Sequence, residues 1–246
     1  SLAKVGAAIE TFNGEELSFV MTLGDIIDRD FNSFDDILPV YEKLRHEAHF
    51  LLGNHDFGVA SEYLEKVVER VGMPAPYYSF KRHDFRFIVL NGNEVSTFAT
   101  PEGHPLNRLG HERLAALSAA GAGNAHAWNA SLSDEQFAWL AGEIEQAKAA
   151  GEKVIVMNHF PVYPPCEHDM WDRERIVELA QRMLLVRLAR PDADAGRVQR
   201  HDAGDRFFLL ACHKRLQVAT PGLVTEHGCG AEHLQPVDDH AEQRGA

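Results

Sequence analysis

Four short clusters in this chain combine residue types that a turn alone does not require: Gly24-Asp25-Ile26-Ile27-Asp28-Arg29, Gly53-Asn54-His55-Asp56, Asn91-Gly92-Asn93 and Asn158-His159. A turn needs glycine and asparagine, but it has no use for the histidine and aspartate that accompany them in the second cluster. Carboxylate, amide oxygen and imidazole together are a ligand set for hard or borderline divalent ions such as manganese, iron or zinc. One carboxylate can bridge two such ions about 4 Å apart, and such a pair clamps a phosphoryl group, acidifies a water and steadies the entering and leaving oxygens of an in-line displacement. A further histidine that is not a ligand can protonate or orient the leaving group. Taken singly, the clusters also admit plainer readings: Asp25 or Asp28 as helix-capping carboxylates, and His159 as a hydrogen-bonded core histidine.

Each cluster follows an apolar run of strand-forming residues. Leu17 to Leu23 stops at Gly24, Ala48 to Leu52 runs into Gly53, Phe85 to Leu90 into Asn91, and Val154 to Met157 into Asn158. Between them the periodicity predicts helices: Leu2, Val5, Ala8, Ile9 and Phe12 at the start, then Asp35 to His46, Ser61 to Val71, Asp134 to Ala150 capped by Ser133, and Arg173 to Leu188. Tyr77 to Phe80 is a further strand, joined to the next by a Lys81 to Asp84 turn. Val95 to Ala130 is Gly/Ala-rich and loose in pattern, and reads as an insertion or lid over the substrate. Strand and helix in this alternation predict an α/β fold, a sheet sandwich with helices on its faces. Groups just past the strand ends of open α/β sheets converge on one crevice, so the four clusters should face one another.

Composition narrows the partners. A chain of 246 residues, 45% hydrophobic and 25% charged, can bury a real core, and one domain over 1–246 is the expectation; collagen, coiled coil and wholesale disorder are excluded. The 24 Lys plus Arg against 37 Asp plus Glu leave a net charge of −13, which repels a nucleic-acid polymer or an anionic membrane. No apolar run approaches the roughly 18 residues of a membrane span, and Ser1 to Asn13 has no signal-peptide pattern, so a cytoplasmic chain is expected. The three cysteines, Cys166, Cys212 and Cys229, are too few and too scattered for a disulfide scaffold or zinc knuckle.

The Gly24 to Arg29, Gly53 to Asp56 and Asn158-His159 clusters resemble the second, third and fourth motifs of the calcineurin-like metallophosphoesterases. Leu90 to Ser96, Trp128-Asn129-Ala130-Ser131-Leu132-Ser133-Asp134-Glu135-Gln136, and Asn158 to Pro164 through Met170-Trp171 are similar to the manganese-dependent ADP-ribose/CDP-alcohol diphosphatase branch; the likeness covers about residues 1 to 188. It implies a four-layer α/β/β/α sandwich and two divalent ions, manganese first, with iron, zinc or magnesium as alternatives. It also implies a pyrophosphate substrate in which a nucleoside diphosphate is linked to a small alcohol or sugar. Asp25 would then bridge the ions, Asn54 and His159 would bind the second, and His55 would be the acid beside the leaving oxygen. Asp28, with Arg29, would fix the site, and Asp56 would support the turn. Asn91, Asn93, Tyr163, His168 and Trp171 are the candidates for contact with the substrate or with the residues that surround the metal ligands, Trp171 either by stacking on a base or as a core or lid aromatic. The same motifs serve a cyclic-nucleotide phosphodiesterase or phosphomonoesterase, and a non-catalytic remnant that binds nucleotides is the alternative from another class.

Two departures from the family pattern stand out. Its first motif, Asp-x-His on a strand before the opening helix, has no counterpart, since Ser1 already lies in that helix; together with the missing initiator methionine this reads as a fragment whose sheet lacks its first strand. Its last motif, Gly-His-x-His, is also unmatched. His201 and His213 are the nearest candidate ligands, and Gly222 to Thr225 the candidate final strand. Arg190 to Asp205, dense in Arg, Asp, Ala and His, has the composition of a translated shifted frame as well as of a loop.

Overall fold

The computed structural model describes residues 2–184 and the strand Phe207–Ala211. In chain order the elements are α1 (Leu2–Asn13), β1 (Val20–Leu23), α2 (Ser33–Tyr41), β2 (Ala48–Leu51), α3 (Val67–Val71), β3 (Tyr78–Arg82), β4 (Phe85–Val89), α4 (Pro105–Ala119), α5 (Asp134–Ala149), β5 (Lys153–Asn158), α6 (Arg173–Leu184) and β6 (Phe207–Ala211). β1 and β2 pair in parallel, with Leu23 opposite Leu51. The second sheet has the order β3-β4-β5-β6: an antiparallel hairpin continued by two parallel pairings, with Asn158 opposite Ala211.

Side-chain alternation along the strands sorts the core into three apolar layers. Phe19, Met21, Leu23 and Leu51 of the first sheet face Phe87, Val89 and Met157 of the second. Phe19 sets its ring edge-on to Phe87 and Phe80, with centroids 4.9 and 5.2 Å away. The outer face of the first sheet is covered by α1, α2 and α3 through Ile9, Phe34, Ile37, Tyr41, Val67 and Val71. Ile88, Val154 and Val156 point the opposite way from the second sheet, onto Leu140 and Ile144 of α5 and Ile176 of α6. The result is the four-layer α/β/β/α sandwich that the family resemblance implied. Among the described strands, only β2 pairs with β1.

Several elements differ from the sequence expectation. The helix expected over Asp35 to His46 is set one turn earlier, and the one over Ser61 to Val71 is a 3₁₀ helix (Ser61–Lys66) that widens into α3. Val95 to Ala130 is not loose: it contains the 15-residue α4, begun by Pro105 in its first turn and by His104, whose ring nitrogen accepts from the Leu106 N–H at 3.2 Å. Its two ends are clipped together by the Val95↔Ser131 bridge. β6 is a strand the periodicity did not reveal. Within α6 the description ends at Leu184; residues 185–188, Gly222 to Thr225 and the irregular stretch Arg190 to Asp205 lie outside the described residues.

One charged group inside this fold makes a stability prediction. Arg86, buried on β4, is held by Glu143 at 3.0 Å and Glu152 at 2.8 Å, both with side chains only 13% exposed. Removing one partner of a buried ionic network leaves uncompensated charge. Arg86→Ala is therefore expected to cost about 3 kcal/mol in denaturant unfolding; a loss below about 1 kcal/mol, the value of an exposed pair, would contradict this.

Candidate metal centre

The site forms because a left-handed turn after β1 is forced against the loop that leaves β2. Gly24 leaves β1 at φ +87° and Asp25 follows at +54°, a conformation that glycine adopts freely and aspartate tolerates. A side chain on Gly24 would meet the Gly53 nitrogen at 2.4 Å, and one on Gly53 would meet Asp25 Oδ1 at 2.2 Å. Only glycine at both positions lets the two loops touch, and that closeness delivers Asp25 to the loop carrying Asn54.

Asp56 ties the same two loops together. Fully buried, it accepts from the Ile26 and Ile27 N–H groups at 2.7 and 3.0 Å with one oxygen and from Gly53 N–H at 2.9 Å with the other. Burial pushes its carboxyl up to about 7, although the three N–H groups pull the other way.

His159 arrives from the second sheet, at the end of β5, and is 1% exposed. Its Nδ1 is 2.8 Å from the Leu23 carbonyl, which only accepts, so Nδ1 carries the proton. Burial lowers the imidazole pKa, with the Asp25 charge opposing, and the ring is neutral at physiological pH. Nε2 therefore presents a lone pair, and it lies 3.2 Å from Asn54 Oδ1 and 3.5 Å from Asp25 Oδ1. Three acceptor atoms from two sheets converge on one point, an arrangement that a positive charge between them satisfies. The donor types suit manganese, iron or zinc. Among the described residues no third His, Cys, Asp or Glu joins Asp25 and His159 in a metal-binding group; the amide of Asn54 is the third donor.

His55 stands beside this triad without joining it. Its backbone N–H donates to Asp25 Oδ1 at 3.2 Å, and its Nδ1 donates to Asp28 Oδ1 at 2.8 Å. That hydrogen bond holds the exposed Asp28 carboxyl below the usual range, with the His55 and Arg29 charges contributing. Arg29 is itself exposed, 3.4 Å from Asp28. A cavity of about 520 Å³ is lined by Leu2 and Val5 of α1, Thr22 of β1, Tyr41 of α2, and Asp25 and Asp28 of the loop after β1.

The remaining sequence candidates are placed differently. Asn91 turns its side chain back onto the Asn93 N–H at 3.2 Å, and Gln136, which was not among the candidates, grips the Asn91 backbone from both sides at 2.8 and 3.1 Å. Asn93 is fully buried and donates to the Leu52 carbonyl at 2.8 Å. Trp171 is 4% exposed and its indole N–H donates to the His126 carbonyl at 3.2 Å, so this ring is packed inside rather than offered to a base. Trp128, exposed, stacks on His126 at 4.1 Å, with His168 6.3 Å away. Tyr163 and His168 belong to the loop that follows β5. His201 and His213 lie outside the described residues.

Behind Trp171, Asp172 accepts from Leu132 N–H at 3.3 Å, and burial raises its carboxyl to about 6 against the pull of Arg113 and Arg175. The native state then binds the proton more tightly than the unfolded chain, whose carboxyl titrates near 4. Stability should fall as pH rises from about 4 to about 6, with a contribution of about 3 kcal/mol. Asp172→Asn should flatten that slope in thermal melts; an unchanged slope would show that Asp172 is not its source.

A sandwich of this kind with metal-type donors at its strand ends defines a class. A calcineurin-like phosphoesterase family model matches residues 1–193, and the chain belongs to that family. Manganese-dependent ADP-ribose/CDP-alcohol diphosphatases are among its similar proteins. The one from Arabidopsis thaliana is 27% identical over 186 residues, 67% of this chain and 60% of the relative. The one from Homo sapiens is 27% identical over 199 residues, 67% of this chain and 58% of the relative. The chain thus spans about 60% of the length of these curated relatives. A solved dimetal phosphatase from Danio rerio superposes with a TM-score of 0.63 at 20% identity, covering 72% of this chain and 67% of that one, and shares the fold. Among the described residues no helix is long and apolar enough to cross a membrane.

Proposed function

We propose that this chain carries the metal centre of a divalent-metal phosphohydrolase that cleaves the pyrophosphate of a nucleoside diphosphate linked to a small molecule, such as ADP-ribose or a CDP-alcohol. The observation that carries this reading is the approach of two oxygens to neutral His159 Nε2, Asn54 Oδ1 at 3.2 Å and Asp25 Oδ1 at 3.5 Å. These residues supply donors for one ion. The second ion, and manganese as the metal, enter the proposal through the names of the manganese-dependent relatives and the dimetal neighbour. When bound, the ions lend positive charge to the phosphoryl oxygens and lower the pKa of a water.

The chain's own residues do the rest. Asp28 holds His55 by its Nδ1–H, so that when the ring carries both protons the one on Nε2 is free to pass to the departing oxygen, leaving the neutral imidazole. Asp56 fixes the two loops, so Asp25 and Asn54 keep their spacing without a ligand present. With a net charge of −13, the protein draws in an anionic nucleotide only where metal charge offsets its own field.

The test is the full chain in added manganese with ADP-ribose, CDP-choline and a cyclic nucleotide, the products separated by chromatography. Release of AMP from ADP-ribose or CMP from CDP-choline is expected. Turnover of the cyclic nucleotide alone would move the substrate class, and no turnover with manganese bound would retire the hydrolase reading for this chain.

A further inference from the structure

We infer that Asn93 is a positioning residue that sets the distance between Asn54 and His159. The inference rests on the proposed metal site for its purpose, but its geometry stands apart from any ion. The donors come from two sheets: Asp25 and Asn54 follow β1 and β2, whereas His159 follows β5. Where the sheets face each other the contact is the apolar layer of Phe19, Met21, Leu23 and Leu51 on Phe87, Val89 and Met157. Apolar contact is non-directional and does not by itself fix the relative height of two strand ends. Directional bonds at the ligand-bearing end must do so.

Three side chains cross between the sheets at that end, one of them Tyr78 of β3, whose hydroxyl donates to the Phe50 carbonyl of β2 at 2.8 Å. His159 Nδ1 reaches the Leu23 carbonyl, which locates the imidazole against β1. Asn93 Nδ2 reaches the Leu52 carbonyl at 2.8 Å, two residues before Asn54. The Asn93 loop is in turn anchored to β5: Leu90 N–H donates to the Met157 carbonyl at 2.9 Å, and Gly92 lies so close to Asn158 that an added Cβ would stand 2.4 Å from its Oδ1. Gln136, fully buried on α5, clamps the Asn91 backbone and keeps the loop rigid. A continuous path of hydrogen bonds and contact therefore runs from Asn54 through Leu52, Asn93 and Gly92 to Asn158 and His159. Full burial places Asn93 inside this path and away from solvent.

The test compares Asn93→Leu with Asn129→Leu in the full chain. Asn129 is equally buried, and its Nδ2 donates to the carbonyls of Asn124 and Glu167, outside the first sheet, so it reports the cost of losing a buried amide in general. Hydrogen exchange without metal should be about tenfold faster at the Gly53 and His55 amides in Asn93→Leu than in Asn129→Leu, since an unmade buried hydrogen bond loosens that loop alone. Manganese affinity should fall about tenfold in Asn93→Leu only, the scale of losing an outer support of a metal ligand. Asn93→Ser gives both readouts if the leucine variant does not fold. Equal exchange in the two variants, or unchanged manganese affinity, would overturn the inference. Absence of manganese binding in the unmodified chain would instead sink the proposed function, and the exchange comparison would still decide the role of Asn93.

Discussion

Asp25→Asn is expected to lower manganese affinity by about 100-fold or more while leaving the fold in place. Asparagine tolerates the left-handed conformation at φ +54°, keeps the volume, and retains an oxygen to accept from the His55 N–H at 3.2 Å. What it removes is the negative charge facing His159 Nε2 and Asn54 Oδ1. Loss of an outer partner alone costs 10- to 100-fold in metal binding, so loss of the only anionic donor in this group belongs at or beyond the upper end. Calorimetric titration with manganese, beside thermal melts of both proteins, checks the effect. Undiminished affinity in Asp25→Asn would remove Asp25 from the centre.

The second large effect has the opposite signature. His55→Asn should keep manganese affinity within a few-fold and lose about 10² to 10⁴ in turnover, the usual worth of a positioned proton donor. The reason is geometric: Asp28, not the donor triad, holds the His55 ring, by Nδ1 at 2.8 Å. Asp28→Asn should give a smaller loss of the same kind, since it frees the ring without removing it. Rate and manganese affinity, measured on the same preparations, separate the two roles; a fall in affinity as large as the fall in rate would make His55 a ligand instead.

The clusters were legible because a turn does not need His55, Asp56 or His159, and because each follows a run of strand formers. Their convergence was not, since the 3.2 Å between Asn54 and His159 depends on how two sheets stack, and stacking leaves no local pattern. Burial of polar residues was equally hidden. In sequence, Asn93 and Trp171 admit either substrate contact or a supporting place inside the fold; tertiary packing takes both inside, where their N–H groups find the Leu52 and His126 carbonyls. Gln136 went unrecognised for the same reason, although its position three residues after the capping Ser133 was a signal.

The helix α4 escaped notice because its buried positions are Asn107 and Gly110, the latter pressed against the Ser96 backbone. A helix that packs through glycine and asparagine has no apolar stripe to betray it. His104 and Pro105 were the available clue, a cap followed by the residue best suited to a first turn. β6 carries five consecutive apolar residues, Phe207 to Ala211, but the irregular composition before it masked the run.

The central claim is that Asp25, Asn54 and His159 share one divalent cation, and manganese titration of the full chain and of His159→Ala, followed by electron paramagnetic resonance, tests it most directly. The unmodified chain is expected to bind manganese, and His159→Ala to lose this site. Equal binding by the two proteins, or none by the unmodified chain, would contradict it.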